Sequence, residues 1–336
     1  MESKSFADIG KVEAIASLFV GTGYDPFVQP VFTAALGDRA VNAHRVFLEG
    51  VDFDLVYFPL MHLGYKCVIG VTGELYASMA HTRHLDVVLG VSAKLDYEQV
   101  AQIWKGMVTA AREHGYKTIS LDLVPSRNGL AISLSASGCV SNITFKRKSA
   151  ARSKDLLCVS GSLGAAFLGM QVLEREKARF NDGVSKEDRD KVLGTYKMLV
   201  GDYLKPELPS SVVEHLEDDQ IYPSCGVFVT KGLADAVKRI QRSTGFGVKV
   251  YADKIPFEGN SFQLGRELDM DPVSAAMNGG DDNRLLFTVP ILEMEKFRRD
   301  FQTFDIIGHL AQADAGTVLV SPDGLEHPVT AQGWPE

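Results

Sequence analysis

The sequence has few cysteines, and their arrangement excludes two classes of protein. The four cysteines are far apart, with no CxxC pair and no Cys/His spacing of the kind that binds zinc. A disulfide scaffold or a structural zinc site is therefore not expected. We expect reduced thiols that fill the core of a cytoplasmic protein. The four residues are Cys67, Cys139, Cys158 and Cys225.

Long hydrophobic runs and an excess of positive charge are also absent. No stretch approaches the roughly 18 apolar residues of a membrane-spanning helix, and residues 1–5 lack the apolar segment of a signal peptide. The 43 acidic residues outnumber the 35 basic ones, which gives a net charge of −8. No basic stripe interleaved with aromatic residues is present. We expect a soluble protein that binds neither membranes nor nucleic acid.

The length and composition predict a globular protein of two domains. The chain has 336 residues, of which 45% are apolar and 23% charged, and domains commonly contain about 150 residues. The polar, basic stretch from Phe145 to Asp155 is the best boundary, so we place the domains at 1–150 and 151–336. A solvated linker or a phosphate contact would both explain this stretch.

Hydrophobic periodicity predicts alternating strands and helices in both halves. In the first half, Asp96 is a predicted N-cap, and the helix after it ends at Gly115. Residues 118–124 and 129–138 alternate in polarity and are predicted to pair as a β-hairpin. Further predicted elements are a helix over 8–19, a strand over 84–91, a strand over 156–160, helices over 165–179, 185–204 and 232–243, and strands over 248–251, 285–289, 304–309 and 316–320. This interleaving predicts α/β and α+β domains.

Two glycine-containing turns are candidate ligand sites. Gly161-Ser162-Leu163-Gly164 lies between a predicted strand and helix, where helix amides can bind a phosphate, but a tight turn would have the same sequence. Asn278-Gly279-Gly280-Asp281-Asp282 brings backbone amides and carboxylates together at a strand start. It could bind a hydroxyl- or phosphate-bearing ligand, or form an ordinary turn.

These segments belong to a longer set of colinear matches to one family. The chain resembles the thiamine-monophosphate kinases of the aminoimidazole ribonucleotide synthetase superfamily along nearly its whole length. The matching segments are Gly37-Asp38-Arg39-Ala40, residues 48–55, His62-Leu63-Gly64-Tyr65-Lys66, residues 159–166 with Gly169, Leu204-Lys205-Pro206, residues 278–290 and Ala331-Gln332-Gly333-Trp334.

The resemblance implies a fold, an assembly and a set of ligands. It implies an N-terminal domain that supplies strands to a dimer-spanning β-barrel, a C-terminal α+β domain, and therefore a homodimer. It also implies ATP and Mg²⁺ as cofactors and thiamine monophosphate as the phosphoryl acceptor.

The chain departs from the family at the acidic positions that bind Mg²⁺ and phosphates. Cations replace carboxylates at Arg39, Arg45, Lys231 and Arg284. Carboxylates survive at Asp38, Glu74, Asp122 and Asp282. Because phosphoryl transfer depends on metal ions that neutralise developing charge, we expect multi-metal binding to fail. A single Mg²⁺ between Glu74 and Asp122 is the residual metal site.

The substituted charges allow two interpretations. The cations could bind an anionic ligand directly, as arginine clusters bind phosphate, or they could pair with the surviving acids and close the old cleft. On the first interpretation we expect the ligand or phosphate site to contain Asp38, Arg39, Arg45, Lys231, Gly161, Gly164, Gly279, Gly280 and Asp282. No residue is identified as catalytic.

The expected function follows from this substituted site. We expect a divergent relative of the kinases, impaired or altered in catalysis, that binds a nucleotide or phosphorylated metabolite in a sensing or scaffold role. The alternative is an active ATP-dependent thiamine-monophosphate kinase with a rearranged Mg²⁺ site. The sequence leaves open whether the protein is an enzyme.

Overall fold

A computed structural model describes residues 11–25, 34–181 and 185–331. The chain divides into two compact units, residues 1–145 and 146–336. The domain boundary expected from sequence, after residue 150, lies a few residues further along. No helix among the described residues is both long enough and apolar enough to cross a lipid bilayer.

The first unit is an α/β arrangement whose predicted helices and strands are largely present. The helix predicted over 8–19 is seen from Lys11, and residues 8–10 lie outside the described residues. Asp96 caps its helix as predicted, because its carboxylate accepts a hydrogen bond from Gln99 N at 2.8 Å and its own backbone N donates one to the Gln99 side-chain oxygen at 3.0 Å. The elements are α1 (Lys11–Phe19), β1 (Arg39–Leu48), α2 (Leu60–Ala77), β2 (His81–Ser92), α3 (Tyr97–Glu113), β3 (Thr118–Ser126), β4 (Ala131–Val140) and the short α4 (Asn142–Arg147), which runs across the boundary.

The strand order shows that the predicted β-hairpin is wrong. The four strands form an open sheet in the order β1-β4-β2-β3, in which β3 pairs in parallel with β2. Strand β4 lies between β1 and β2 and is antiparallel to both. Alternating polarity correctly identified two strands with one buried face each, but it carries no information about which strand is the neighbour.

One face of this sheet is covered by α2, and α3 packs against α2. Two glycines make the contact between these helices close: a Cβ on Gly64 would lie 1.9 Å from the carbonyl oxygen of Ile103, and a Cβ on Gly106 would lie 1.9 Å from that of Met61. Each backbone therefore fits into the space that a side chain on the other helix would need.

The opposite face of the sheet carries exposed side chains, and several are apolar. The register aligns Val46, Ser133, Val88 and Asp122 across the four strands in one row. The large apolar side chains exposed on this open face are Val46 (53% exposed), Leu48 (43%), Val88 (38%) and Val124 (37%).

The second unit contains a mixed sheet of seven strands with helices packed on it. The strand order is β11-β10-β7-β9-β5-β8-β6. Its elements are β5 (Leu156–Ser160), α5 (Ala165–Asn181), α6 (Lys186–Thr195), α7 (Lys197–Leu204), α8 (Val212–Asp218), β6 (Cys225–Val229), α9 (Leu233–Thr244), β7 (Gly247–Tyr251), α10 (Ser261–Leu268), α11 (Pro272–Asn278), β8 (Arg284–Val289), α12 (Met294–Asp300), β9 (Phe304–Ala311), β10 (Thr317–Val320) and β11 (Glu326–Pro328). Beyond Ala331, the matched segment at the C-terminus lies outside the described residues.

Most elements predicted in this half are present, but the helix predicted over 185–204 is two helices. It breaks at Tyr196, whose φ of −105° and ψ of 25° are not helical. The Tyr196 side chain is buried, and its hydroxyl donates to Glu267 of α10 at 2.5 Å. This contact with a residue distant in sequence explains why a local pattern did not predict the break.

Candidate functional site

Three loops of the second unit meet at one edge of its sheet. Strand β8 is antiparallel to both β5 and β6, so the ends of β5 and β6 lie beside the start of β8. The loops that meet there are residues 161–164 after β5, residues 230–232 after β6 and residues 279–283 before β8. We call this place the loop edge. It contains six of the predicted ligand-binding residues, namely Gly161, Gly164, Lys231, Gly279, Gly280 and Asp282.

Asp282 is buried at the centre of the loop edge and binds the start of α5. Its carboxylate accepts hydrogen bonds from Gly164 N at 3.0 Å and Ala166 N at 3.4 Å, and the side chain is 2% exposed. Burial raises the pKa of Asp282 to about 7, although the two amides and the Arg284 charge act to lower it. Asp282 therefore occupies the amides that the sequence suggested for a ligand phosphate.

The glycine turn before α5 depends on close packing. Gly164 has a φ of +74°, and a Cβ there would lie 2.8 Å from Ala276 N. Gly161 has a φ of +94°, and a Cβ there would lie 3.4 Å from the guanidinium carbon of Arg284. These contacts favour the tight-turn interpretation of this motif over an open phosphate loop.

Arg284 forms an ion pair with a residue that the sequence did not single out. Its Nη2 lies 3.1 Å from Asp202 Oδ1 on α7, whereas the surviving family acids were the expected partners. The remaining guanidinium contacts are Nε to Ser162 O at 3.2 Å and Nη1 to Glu207 O at 3.4 Å. Asp202 also accepts a hydrogen bond from Ser162 Oγ at 3.3 Å. The only sequence signal for Asp202 is that it shortly precedes the matched segment Leu204-Lys205-Pro206.

The loop before β8 packs along the loop after β6. Asp281 N donates to Thr230 O, and Asn283 N donates to Val229 O, both at 2.9 Å. Gly280 has a φ of +83° and lies against the backbone of Lys231, since a Cβ there would be 3.5 Å from Lys231 Cα. The Lys231 side chain is exposed and, within the described ranges, makes no hydrogen bond or ion pair. A cation is therefore available at the loop edge.

Two predicted site residues of the first unit, Asp38 and Arg39, contact α4. Asp38 Oδ1 accepts a hydrogen bond from Asn142 N at 3.0 Å and so caps α4. Arg39 Nη1 donates to Gly37 O at 2.6 Å, and its guanidinium carbon lies 4.5 Å from the centre of the Phe145 ring. These contacts connect the start of β1 to α4.

Arg45 lies on the face of the sheet that α2 covers. Its guanidinium carbon is 4.5 Å from the centre of the Phe47 ring, and a Cβ on Gly70 of α2 would lie 3.4 Å from its Nη1. This position is separate from the contacts of Asp38 and Arg39.

The structure does not bring the residual metal pair together within one chain. The register aligns Arg45, Leu134, Val87 and Leu121 on the face covered by α2, which carries Glu74. Asp122 follows Leu121 and is exposed on the opposite face, because successive strand residues point to opposite faces. The sheet thus separates the two carboxylates. Among the described residues, no group of three or more His, Cys, Asp or Glu side chains could bind a metal ion.

Sequence comparison relates the chain to thiamine-monophosphate kinases. No model of a known protein family matches it. The thiamine-monophosphate kinase of Bacillus subtilis is 22% identical over 330 residues, covering 95% of this chain and 94% of the relative. That of Aquifex aeolicus is 22% identical over 283 residues, covering 83% and 85%.

Structure comparison identifies the fold. A thiamine-monophosphate kinase from Stenotrophomonas maltophilia superposes with a TM-score of 0.73 at 20% identity, covering 95% of this chain and 96% of that one. AaThiL complexed with AMPPCP and TMP gives 0.70 at 19% identity, covering 97% of both chains. The hydrogenase maturation protein HypE in complex with ATP gives 0.69 at 16% identity, covering 96% and 95%. The chain therefore has the aminoimidazole-ribonucleotide-synthetase-like fold, and it resembles the thiamine-monophosphate kinases in sequence.

Proposed function

We propose that this protein binds a nucleotide or another phosphorylated metabolite and does not perform the Mg²⁺-dependent phosphoryl transfer of the kinases it resembles. Its role on this proposal is sensing or scaffolding. AaThiL complexed with AMPPCP and TMP, and HypE in complex with ATP, both share the fold. Nucleotide binding by proteins of this fold supports the ligand class.

The observation that carries the proposal is the exposed cation Lys231 at the loop edge. The resembled family has a carboxylate at this position. A carboxylate beside a phosphate needs a metal ion between them, whereas an ammonium group binds the phosphate directly. Because Lys231 has no ion-pair partner in the parts of the chain that the structure describes, a ligand anion would not have to displace one.

The impairment of catalysis rests on the charges near the loop edge. Two unit charges about 4 Å apart interact by roughly 4 kcal/mol at an effective dielectric constant of 20. Arg284, next to Gly161, therefore repels a divalent cation where a family carboxylate would attract it. The separation of Glu74 from Asp122 removes the residual Mg²⁺ pair from the single chain.

The proposal includes a homodimer formed through the open face of the first unit. Val46, Leu48, Val88 and Val124 are exposed on one face of a four-stranded sheet. A second copy that packed the same face against this one would bury these four side chains in both copies. Such self-complementary interfaces are the usual basis of dimers.

A second candidate function is an active ATP-dependent thiamine-monophosphate kinase with a rearranged metal site. The colinear match to such kinases and the surviving carboxylates Asp38, Glu74, Asp122 and Asp282 favour it. This candidate requires acids from elsewhere to bind Mg²⁺.

Thermal unfolding with the non-hydrolysable analogue AMPPCP distinguishes the two. We expect AMPPCP to raise the unfolding midpoint in EDTA as much as in Mg²⁺, because cations of the protein contact the phosphates. Ligand at a hundredfold excess over its Kd adds about 2.7 kcal/mol to the free energy of unfolding. This raises the unfolding midpoint by several degrees. A rise that occurs only with Mg²⁺ would support the active kinase. No rise in either condition would contradict nucleotide binding.

A pair of variants tests the role of Lys231. Lys231→Ala should abolish most of the AMPPCP-induced rise in EDTA. Arg242→Ala is the matched control, because Arg242 is an exposed cation in the last turn of α9, at the far end of the helix that begins after Lys231. Equal responses of the two variants would rule out Lys231 as the phosphate contact.

A further inference from the structure

The guanidinium of Arg284 lies among oxygen atoms at the loop edge. Its three nitrogens contact Ser162 O, Glu207 O and Asp202 Oδ1 at 3.2, 3.4 and 3.1 Å. These oxygens come from the glycine turn, the segment after α7, and α7 itself. One cation therefore connects the glycine turn to α7 and the segment that follows it, about 40 residues further along the chain.

The surroundings of this cation are partly buried and rich in acid. The Arg284 side chain is 11% exposed and that of Asp202 is 21% exposed. The charges of Arg284 and Asp202 both act on Asp282, lowering and raising its pKa respectively. The guanidinium lies against Gly161, where a Cβ would be 3.4 Å from both its carbon and its Nε, and the φ of +94° at this position favours glycine.

This set of oxygens has the chemistry of a site for a hard cation. Calcium binds carboxylate and backbone carbonyl oxygens in flexible geometry, and Mg²⁺ also prefers oxygen ligands. Here the carboxylate of Asp202 and the carbonyls of Glu207 and Ser162 contact one positive group, and the Ser162 hydroxyl donates a hydrogen bond to Asp202. A divalent ion does not fit beside the guanidinium, because the two charges repel and the oxygens already have a partner.

We propose that Arg284 is a fixed internal cation that takes the place of a metal ion at the loop edge. Its guanidinium holds the glycine turn against α7, so the turn keeps its conformation without a divalent metal. Removal of the guanidinium leaves an oxygen-lined site that accepts Ca²⁺. Arg284 is a positioning residue, and this role is independent of which ligand the protein binds.

The test measures thermal unfolding with metal alone and no nucleotide. The wild-type protein should have the same midpoint in EDTA and in millimolar CaCl₂. Arg284→Gln should unfold several degrees lower in EDTA and recover at least half of that loss in CaCl₂. Choline chloride at the same ionic strength should give no recovery. A purely structural role for the Arg284 side chain would produce the loss without the calcium response.

Two further variants make the outcome specific. Adding Asp202→Asn to Arg284→Gln should abolish the calcium response, because the carboxylate ligand is gone. Arg284→Lys keeps the charge, so it should respond to calcium less than Arg284→Gln does. The proposal is overturned if wild-type protein gains as much from CaCl₂ as Arg284→Gln, or if folded Arg284→Gln gains nothing. If Arg284→Gln folds only with CaCl₂ the proposal is supported, and if it folds in neither condition the proposal is overturned.

Discussion

The carboxylate of Asp282 lies 3.0 Å from the amide nitrogen of Gly164, so the start of β8 is bound directly to the glycine turn after β5. A buried acid in this place satisfies two amides of the N-terminal turn of α5. The same contact occupies the amides that the sequence suggested for a ligand phosphate. The loop edge is therefore held together by the protein's own side chains and backbone amides.

We expect the free energy of unfolding to depend on the ionisation of Asp282. Its folded-state pKa of about 7 is above the ordinary 3.8, so its contribution to stability is complete below pH 4 and is lost as the pH rises through 7. Asp282→Asn keeps an acceptor oxygen and does not ionise. The stability of Asp282→Asn relative to wild type should rise by about 3 kcal/mol between pH 5 and pH 8. Urea unfolding at both pH values measures this, and a difference that is independent of pH would contradict it.

His114 should make the protein less stable in acid. Burial lowers the pKa of His114 to about 4, because the charged ring is poorly solvated, and Glu113 opposes this only in part. The unfolded chain takes up the proton near pH 6.5, so stability is lost as the pH falls from 6.5 towards 4, by about 3 kcal/mol in total. The free energy of unfolding of His114→Gln should fall less than that of the wild-type protein between pH 7 and pH 4.5, as measured by urea unfolding at both pH values. Parallel losses in the two proteins would show that His114 is not responsible.

The close contact between α2 and α3 should not tolerate a methyl group. Gly64→Ala and Gly106→Ala should each lower the free energy of unfolding by about 3 kcal/mol, because both would press a Cβ onto a backbone carbonyl. Gly201→Ala is the control: Gly201 is an exposed residue of α7 with nothing within 4 Å of its Cβ position. It should be neutral or stabilise by about 0.5–1 kcal/mol. Chemical denaturation of the three variants measures these changes. A Gly64→Ala variant with an unchanged free energy of unfolding would contradict the packing described above.

The open face of the first sheet should control the oligomeric state. Val46→Asp combined with Val88→Asp places two charges in the proposed interface and should convert a dimer into a monomer in sedimentation velocity. Val20→Asp is the control, since Val20 is an exposed valine outside this sheet. A monomeric wild-type protein, or a doubly substituted protein that remains dimeric, would refute the interface.

The sequence by itself determined the features that depend on neighbouring residues. The helix after Asp96 could be predicted because its cap is closed by Gln99, three residues away. The strand at 285–289 and the helix at 165–179 followed from local periodicity in the same way. The resemblance to the kinases could also be recognised, because colinear motifs are a property of sequence.

Only the tertiary structure decided which side chains meet. The partner of Arg284 is Asp202, the sheet separates Glu74 from Asp122, and β3 pairs with β2. Each of these depends on how segments far apart in the chain pack, and no local pattern encodes that choice. The physical reason is that charge and hydrogen-bonding capacity belong to a residue, whereas burial, partner and pKa belong to its surroundings.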